Sequence, residues 1–244
     1  MENENRVAVV SGAASGMGRE TSILFAKEGY SVVCTDNNKA LLDDTVSIIK
    51  KESGQAVGII ADITKVDDIK NLAKEVGEKF KKVDVLINCA GLVRVKDLVD
   101  YSEDEMDLMI DVNLKGTYRC CKYLLPLMIK NKSGVIINIS SKAGKLPQAG
   151  AVLYHTSKWG VVGFTKSLGL EVRKYGIKAV VINPGATKTD FYKNLGLDEE
   201  LLNKFLNPTD IARVCLFVAG QSANCFIEEI DMIPMTETLE INFK

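Results

Sequence analysis

The chain carries a single histidine, His155, and its cysteines include no C-x-x-C pair. With one histidine and no such pair, no metal site is expected. Charge of either sign is not in excess: 31 Lys and Arg stand against 32 Asp and Glu, a net charge of -1. With no basic surplus, neither nucleic acid nor an anionic membrane is an expected partner. Long apolar runs are missing too. The opening MENENRVAVV places acidic residues where a secretion signal is basic, and its apolar run covers only Val7 to Val10. Neither a signal nor a membrane span is expected. There is no repeat, charge block or low-complexity tract. The six cysteines (Cys34, Cys89, Cys120, Cys121, Cys215 and Cys225) are scattered, several within apolar stretches. They read as buried thiols of a cytoplasmic protein.

What is present is a chain of 244 residues, 46% hydrophobic and 26% charged, enough to bury the core of one α/β domain. Short β-branched runs fall at 6–10, 31–35, 56–60, 83–88, 134–140, 177–183 and 226–233. Helix-like stretches fall between them at 16–29, 39–52, 65–80, 103–130, 152–175 and 209–219. Most of the strand candidates are continuously apolar, as strands covered on both faces are. The alternation predicts a Rossmann-type, doubly wound, parallel seven-stranded sheet with helices on both faces, one domain over 1–244. Asp62 and Thr64 are candidate caps of the third helix. Residues 186–207 lack strand character and form a candidate substrate lid.

The first strand runs into SGAASGMG, with Gly12, Gly16 and Gly18, and then a helix. Such a turn lets backbone amides approach a pyrophosphate at a helix N-terminus, although glycines there can also be purely structural. Asp36 ends the second strand, eighteen residues after Gly18. An acid at that place can bond the adenine ribose hydroxyls and repel a 2′-phosphate. Asn37 and Asn38 follow it rather than arginines, and Ser15 holds a loop position where a basic residue would favour that phosphate. NAD is therefore the expected cofactor. The plainer reading of Asp36 is a solvated loop carboxylate.

SGAASGMG, Asp62, NCAG at 88–91, Asn113, INISS at 137–141, YHTSK at 154–158 and NPGATKT at 183–189 come in an order and spacing that resemble the classical short-chain dehydrogenase/reductase family. The resemblance covers about residues 6 to 220. It implies an NAD-dependent oxidoreductase interconverting a secondary alcohol and a ketone, with Asn113, Ser141, Tyr154 and Lys158 as the catalytic set. Ser141 would hold the substrate oxygen, and Tyr154 would move its proton while hydride passes to or from nicotinamide. Lys158 would assist Tyr154 and bond the nicotinamide ribose, and Asn113 would support a water relay behind it. Cofactor contacts are expected from Gly12, Ser15, Gly16, Met17, Gly18, Asp36, Asp62, Ile63, Asn88, Ala90, Gly91, Tyr154, Lys158, Pro184, Gly185, Thr187 and Thr189, although Thr187 also reads as a simple turn residue. Substrate contacts are expected from Ser141, Gln148 and Tyr154.

The residues support this chemistry directly. Tyr154 and Lys158 stand at i and i+4 and share a helix face. A tyrosine ordinarily titrates near roughly 10, and a nearby ammonium is expected to lower that value. Tyr118 and Lys122 repeat the spacing inside 103–130 but have no serine thirteen residues upstream, so they read as a packing accident. Ser140 reads as structural, His155 as a packing neighbour and Trp159 as core. Leu92, Val93, Leu146, Val152, Phe191, Tyr192, Leu195 and Phe205 suggest a lipophilic, hydroxysteroid-like substrate. A 3-oxoacyl thioester reductase and a catalytically silent NAD-binding regulator are the alternatives. Ser11 replaces the family's usual threonine, and the end ANCFIEEIDMIPMTETLEINFK departs from its glycine-rich tail. The expected assembly is a homodimer or homotetramer, built through the helices 103–130 and 152–175.

Overall fold

A computed structural model describes residues 6–190 and 199–236. Seven strands, β1 (Val7–Ser11), β2 (Ser31–Asp36), β3 (Gln55–Ile60), β4 (Val85–Asn88), β5 (Gly134–Ile139), β6 (Ile177–Pro184) and β7 (Glu229–Met232), form one sheet in the order β3-β2-β1-β4-β5-β6-β7. Every pairing is parallel. This is the expected doubly wound sheet. The strand order reverses between β1 and β4, and a crevice opens there at the carboxyl ends of the strands.

Burial follows from strand position. β1, β4 and β5 are buried throughout, whereas β3 and β7 at the edges are only partly so. One face packs against α1 (Gly16–Lys27), α2 (Lys39–Lys51) and α8 (Pro208–Ala219) through Phe25, Leu42, Ile49, Ile211 and Cys215. The other packs against α3 (Val66–Phe80), α5 (Thr117–Asn131) and α6 (Val152–Val172) through Leu72, Val76, Leu124, Met128 and Leu168. A short α7 (Glu199–Leu202) precedes α8.

Three expectations are corrected. The long helix 103–130 is broken. α4 (Glu103–Ile110) passes through a π-helical turn, Asp111–Gly116, before α5 begins. A side chain at Gly116 would collide with Ile63, so the wider turn carries the chain past the loop after β3. Asp62 and Thr64 do not cap α3, whose N-cap is Lys65. Asp62 Oδ1 instead accepts from the Thr64 amide and hydroxyl at 2.9 and 2.7 Å. Trp159 is not core but 51% exposed, on the outward face of α6.

A row of polar residues in register, Thr35, Ser11, Asn88 and Asn138, crosses the sheet near its carboxyl end. Asn88 Nδ2 donates to Asn138 Oδ1 at 2.7 Å, and Asn138 Nδ2 donates to Thr165 Oγ1 of α6 at 2.9 Å. Asn138 and Thr165 are fully buried, so each depends on its partner. Thr165→Val strands a buried amide donor, at a cost of about 1–3 kcal/mol. Thermal unfolding should show Tm falling by several degrees; an unchanged Tm would mean the bond contributes nothing.

Candidate active site

The glycine turn is shaped by close backbone approach. Gly12 has φ +70°, and a Cβ there would lie 2.7 Å from the Ala90 nitrogen. A Cβ at Gly18 would overlap the Gly12 carbonyl oxygen. The turn thus brings β1, α1 and the NCAG segment into contact. α1 opens with the amides of Gly16, Met17 and Gly18, which have no acceptor among the described residues. Three such donors at a helix N-terminus fit a pyrophosphate.

The crevice in front of them is a cleft of ≈ 490 Å³. Gly12, Ser15, Gly16, Met17 and Gly18 line it on one side, and Asp36, Asp62 and Ile63 at one end. Ala90, Gly91 and Thr189 line it as expected. The Asp36 carboxylate is fixed: Oδ2 accepts from the Ala14 amide at 3.2 Å and Oδ1 from the Asn38 amide at 2.9 Å. Burial opposes charge on Asp62, but the bonds from Thr64 outweigh it and hold the carboxyl below its usual range. A larger open groove of ≈ 680 Å³ surrounds the β3 edge near Lys50, Lys51 and Lys79, away from the glycine turn, so size does not locate the site.

Some expected contacts lie elsewhere. Asn88 is 3% exposed and turned beneath the cleft toward Asn138. Thr187 is buried, and its hydroxyl donates to the Gly185 carbonyl at 3.0 Å, which is the turn role. Pro184 ends β6 and Gly185 donates to the Met232 carbonyl at 2.6 Å; like Ser141, Tyr154 and Lys158 they stand beyond the lining of this cleft, and Gln148 is on an exposed stretch. Phe205 is buried, and Leu146 and Val152 are exposed, so these do not converge on a closed pocket. Phe191, Tyr192 and Leu195 lie outside the described residues. The ends of the expected lid are tied by a bridge between Thr187 and Leu206. Cys89, Leu108 and Val112 line the cleft and were not anticipated. The last two stand at i and i+4 across the α4 end, a spacing that could have revealed them.

The catalytic set is assembled from β5, α6 and the π turn. Ser141 follows β5 in the turn Lys142–Gly144, where its Oγ accepts from the Ala143 amide at 3.1 Å. The hydroxyls of Ser141 and Tyr154 are hydrogen-bonded. Lys158 lies one helical turn on, its Nζ 5.7 Å from the Tyr154 ring centre and donating to the Ile139 carbonyl at 3.1 Å. Asn113 is buried, accepting from the Leu92 amide at 2.8 Å and donating to the Leu92 carbonyl at 2.9 Å and Ser157 Oγ at 3.0 Å. A Cβ at Gly91 would lie 3.3 Å from Asn113 Oδ1 and 3.5 Å from Lys158 Nζ, so the glycine keeps open the space between them. Ser140 donates to the Lys158 carbonyl at 2.9 Å and His155 Nδ1 lies 2.9 Å from the Ala143 carbonyl, so both brace the serine turn. Tyr118 stacks on Phe164 at 4.3 Å, away from the cleft, confirming that the second tyrosine–lysine pair is packing.

One electrostatic expectation is reversed. Tyr154 is partly exposed by area, yet its hydroxyl is enclosed, and burial pushes it up to about 12 against a smaller lowering by Ser141. Burial likewise pulls Lys158 down to about 8. Desolvation disfavours both charged forms.

The chain belongs to the short-chain dehydrogenase family, whose match covers residues 6–200. It is 34% identical over 231 residues to a 3-oxoacyl-(acyl-carrier-protein) reductase of Thermotoga maritima, covering 92% of this chain and 94% of that one. It is 35% identical over 227 residues to subunit BbsD of a hydroxy(phenyl)methylsuccinyl-CoA dehydrogenase of Thauera aromatica, covering 90% and 91%. Among solved structures, a metagenomic short-chain oxidoreductase in complex with NADP superposes with TM-score 0.83 at 32% identity, over 94% of this chain and 96% of that one. A variant of the actinorhodin polyketide ketoreductase with NADPH superposes with TM-score 0.88 at 27% identity, over 97% and 99%. The protein is an oxidoreductase of the CH–OH and ketone type. No helix among the described residues is long and apolar enough to cross a membrane.

The depressed Lys158 has a thermodynamic signature. Its value in the folded chain, about 8, lies below the ordinary 10.5, so between the two the unfolded chain binds more protons. Wild-type stability should therefore rise with pH across that window, by about 3 kcal/mol relative to Lys158→Met. Urea unfolding at pH 7, 8.5 and 10.5 measures this; parallel curves for the two proteins would show that the ammonium is not desolvated.

Proposed function

We propose that the protein interconverts a 3-oxoacyl thioester and its 3-hydroxyacyl form, with NAD as the cofactor. The observation that carries the reaction is the hydrogen-bonded Ser141–Tyr154 pair set one helical turn from buried Lys158. Tyr154 carries its proton at neutral pH and is placed to give it to an oxygen gaining negative charge. Ser141 would hold that oxygen by a second hydrogen bond, and Lys158 would support the phenol from behind. A nicotinamide cofactor, held at the glycine turn, would supply or accept the hydride. Asn113 keeps the NCAG loop and α6 in register around Lys158. Fixed geometry of this kind supplies a large share of the acceleration.

The substrate class rests on the relatives, which act on acyl thioesters by name. They favour the thioester over the steroid-like alcohol expected from the apolar rim residues. A catalytically silent nucleotide-binding protein is the weaker reading, because the whole set Asn113, Ser141, Tyr154 and Lys158 is present and brought together. For the cofactor, the two solved relatives hold NADP and NADPH, but the charge in this cleft speaks for NAD. Asp36 lines the adenine end. Arg19, on the nearby helix, is held by Asp44 at 2.6 Å and Thr45 at 3.0 Å and not offered to a 2′-phosphate. The α6 face carrying Val152, Trp159 and Leu170 is exposed in one stripe, with open space at Gly163. It is the surface through which copies would form a dimer or tetramer.

Turnover of a 3-oxoacyl thioester with NADH and with NADPH, followed by absorbance, tests this reading. Wild type should give the higher kcat/KM with NADH. Asp36→Ala should shift the ratio toward NADPH by about tenfold, or about 1.4 kcal/mol. Tyr154→Phe should abolish turnover while still binding NADH. Preference for NADPH by the wild type rejects the cofactor reading, and thioesters left untouched while another ketone is reduced reject the substrate reading.

A further inference from the structure

An ionic cluster at the last strand takes no part in the chemistry above. Lys145 leaves the turn that follows Ser141, and its Nζ lies 2.7 Å from Asp231 Oδ2 and 3.1 Å from Glu229 Oε1 on β7. Lys166 of α6 reaches Glu229 Oε2 at 2.6 Å. From β6, buried Asn183 donates through one nitrogen to Glu229 Oε1 at 2.7 Å and Asp231 Oδ1 at 2.8 Å. Burial works against both carboxylates. The bonds from Lys166, Lys145 and Asn183 to Glu229, and from Lys145 and Asn183 to Asp231, outweigh it and hold both below their usual range.

The cluster spans a gap in the backbone. Pairing of β5 with β6 runs to Ile139 and Ile182, and Ser140 makes the last bond, to the Ile182 carbonyl at 2.8 Å. Past that point one chain turns into Ser141 and the other into Pro184–Gly185, with no backbone hydrogen bond between them among the described residues. On the reading proposed above, a substrate oxygen and a nicotinamide ring would meet between these two segments. Asn183 stands immediately before the second segment, and Lys145 immediately after the turn of the first.

We propose that Lys145 is a positioning residue. By clamping the serine turn to the β7 carboxylates, which Asn183 also holds, it fixes the Ser141 hydroxyl relative to the Pro184–Gly185 corner. Lys145 is 38% exposed and Asp231 50%, so the pair adds little to stability. Its effect is on orientation, where a displacement of about 1 Å can cost a large factor in rate. This rests on the reading that Ser141 holds the substrate oxygen.

The test compares Lys145→Met, Lys145→Arg and Asp231→Asn in the full chain. It reads kcat, substrate KM, NADH affinity, Tm and amide hydrogen exchange of residues 144–146. Lys145→Met should lower kcat about tenfold and speed exchange of the turn, with NADH affinity within twofold and Tm nearly unchanged. Lys145→Arg should recover most of kcat. Asp231→Asn, which leaves Glu229 in place, should fall between and serves if the methionine variant does not fold. An unchanged kcat in Lys145→Met overturns the proposal, as does an equal loss of NADH affinity without rescue by arginine. If the wild type reduces no thioester, the substrate reading fails by itself. Turnover of any other ketone, or the exchange comparison alone, then decides the role of Lys145, and unchanged exchange overturns it.

Discussion

Desolvation of the Tyr154–Lys158 pair is the constraint around which the site is built. The family chemistry needs a phenol and an ammonium together, and this fold sets both at the head of a sheet where water is scarce. The consequence is that neither carries its charge readily in the chain alone. Burial of a charge is costly unless it is paired and bonded, and among the described residues Lys158 Nζ donates to the Ile139 carbonyl alone. A group that brings positive charge and hydroxyls into the cleft would change that balance.

The rest of the architecture serves this placement. The parallel sheet sends every strand end toward one crevice, so residues from β1, β4, β5 and β6 meet there although they are far apart in sequence. The polar row from Thr35 to Asn138 lies beneath that crevice, and Asn88 and Asn138 tie it to α6 through Thr165. α6 is therefore fixed to the sheet by a hydrogen-bonded chain about two to three turns from its catalytic residues. The π turn has a matching part: it aims Asn113 inward, where one amide holds both the backbone after NCAG and Ser157.

Much of this was legible in the sequence because the relevant signals are local. Apolar runs such as VAVVS and GVIINI mark strands covered on both faces, and Tyr154 with Lys158 needs only helical spacing to share a face. What was not legible depends on geometry between distant segments. The π turn sets Gly116 so close to Ile63 that a side chain there would collide, a contact no periodicity shows. Trp159 looked like core because it is apolar, yet it lies half-exposed on the outward face of its helix. Asn88 is in a cofactor motif but points into the sheet, since its register partner Asn138 claims its amide. The rise in the Tyr154 value was missed because sequence shows the ammonium beside it and not the water withdrawn from both. Lys145 meets Asp231 across 86 residues, and nothing near either position suggests the other.

Ultraviolet difference titration of the tyrosinate, wild type minus Tyr154→Phe, addresses the central claim most directly. Run first on the protein without nucleotide, it should show Tyr154 ionising near 12, and at a lower pH once NAD is added. Ionisation of the nucleotide-free protein at or below the ordinary value of roughly 10 would contradict the account, because burial would then not govern the pair.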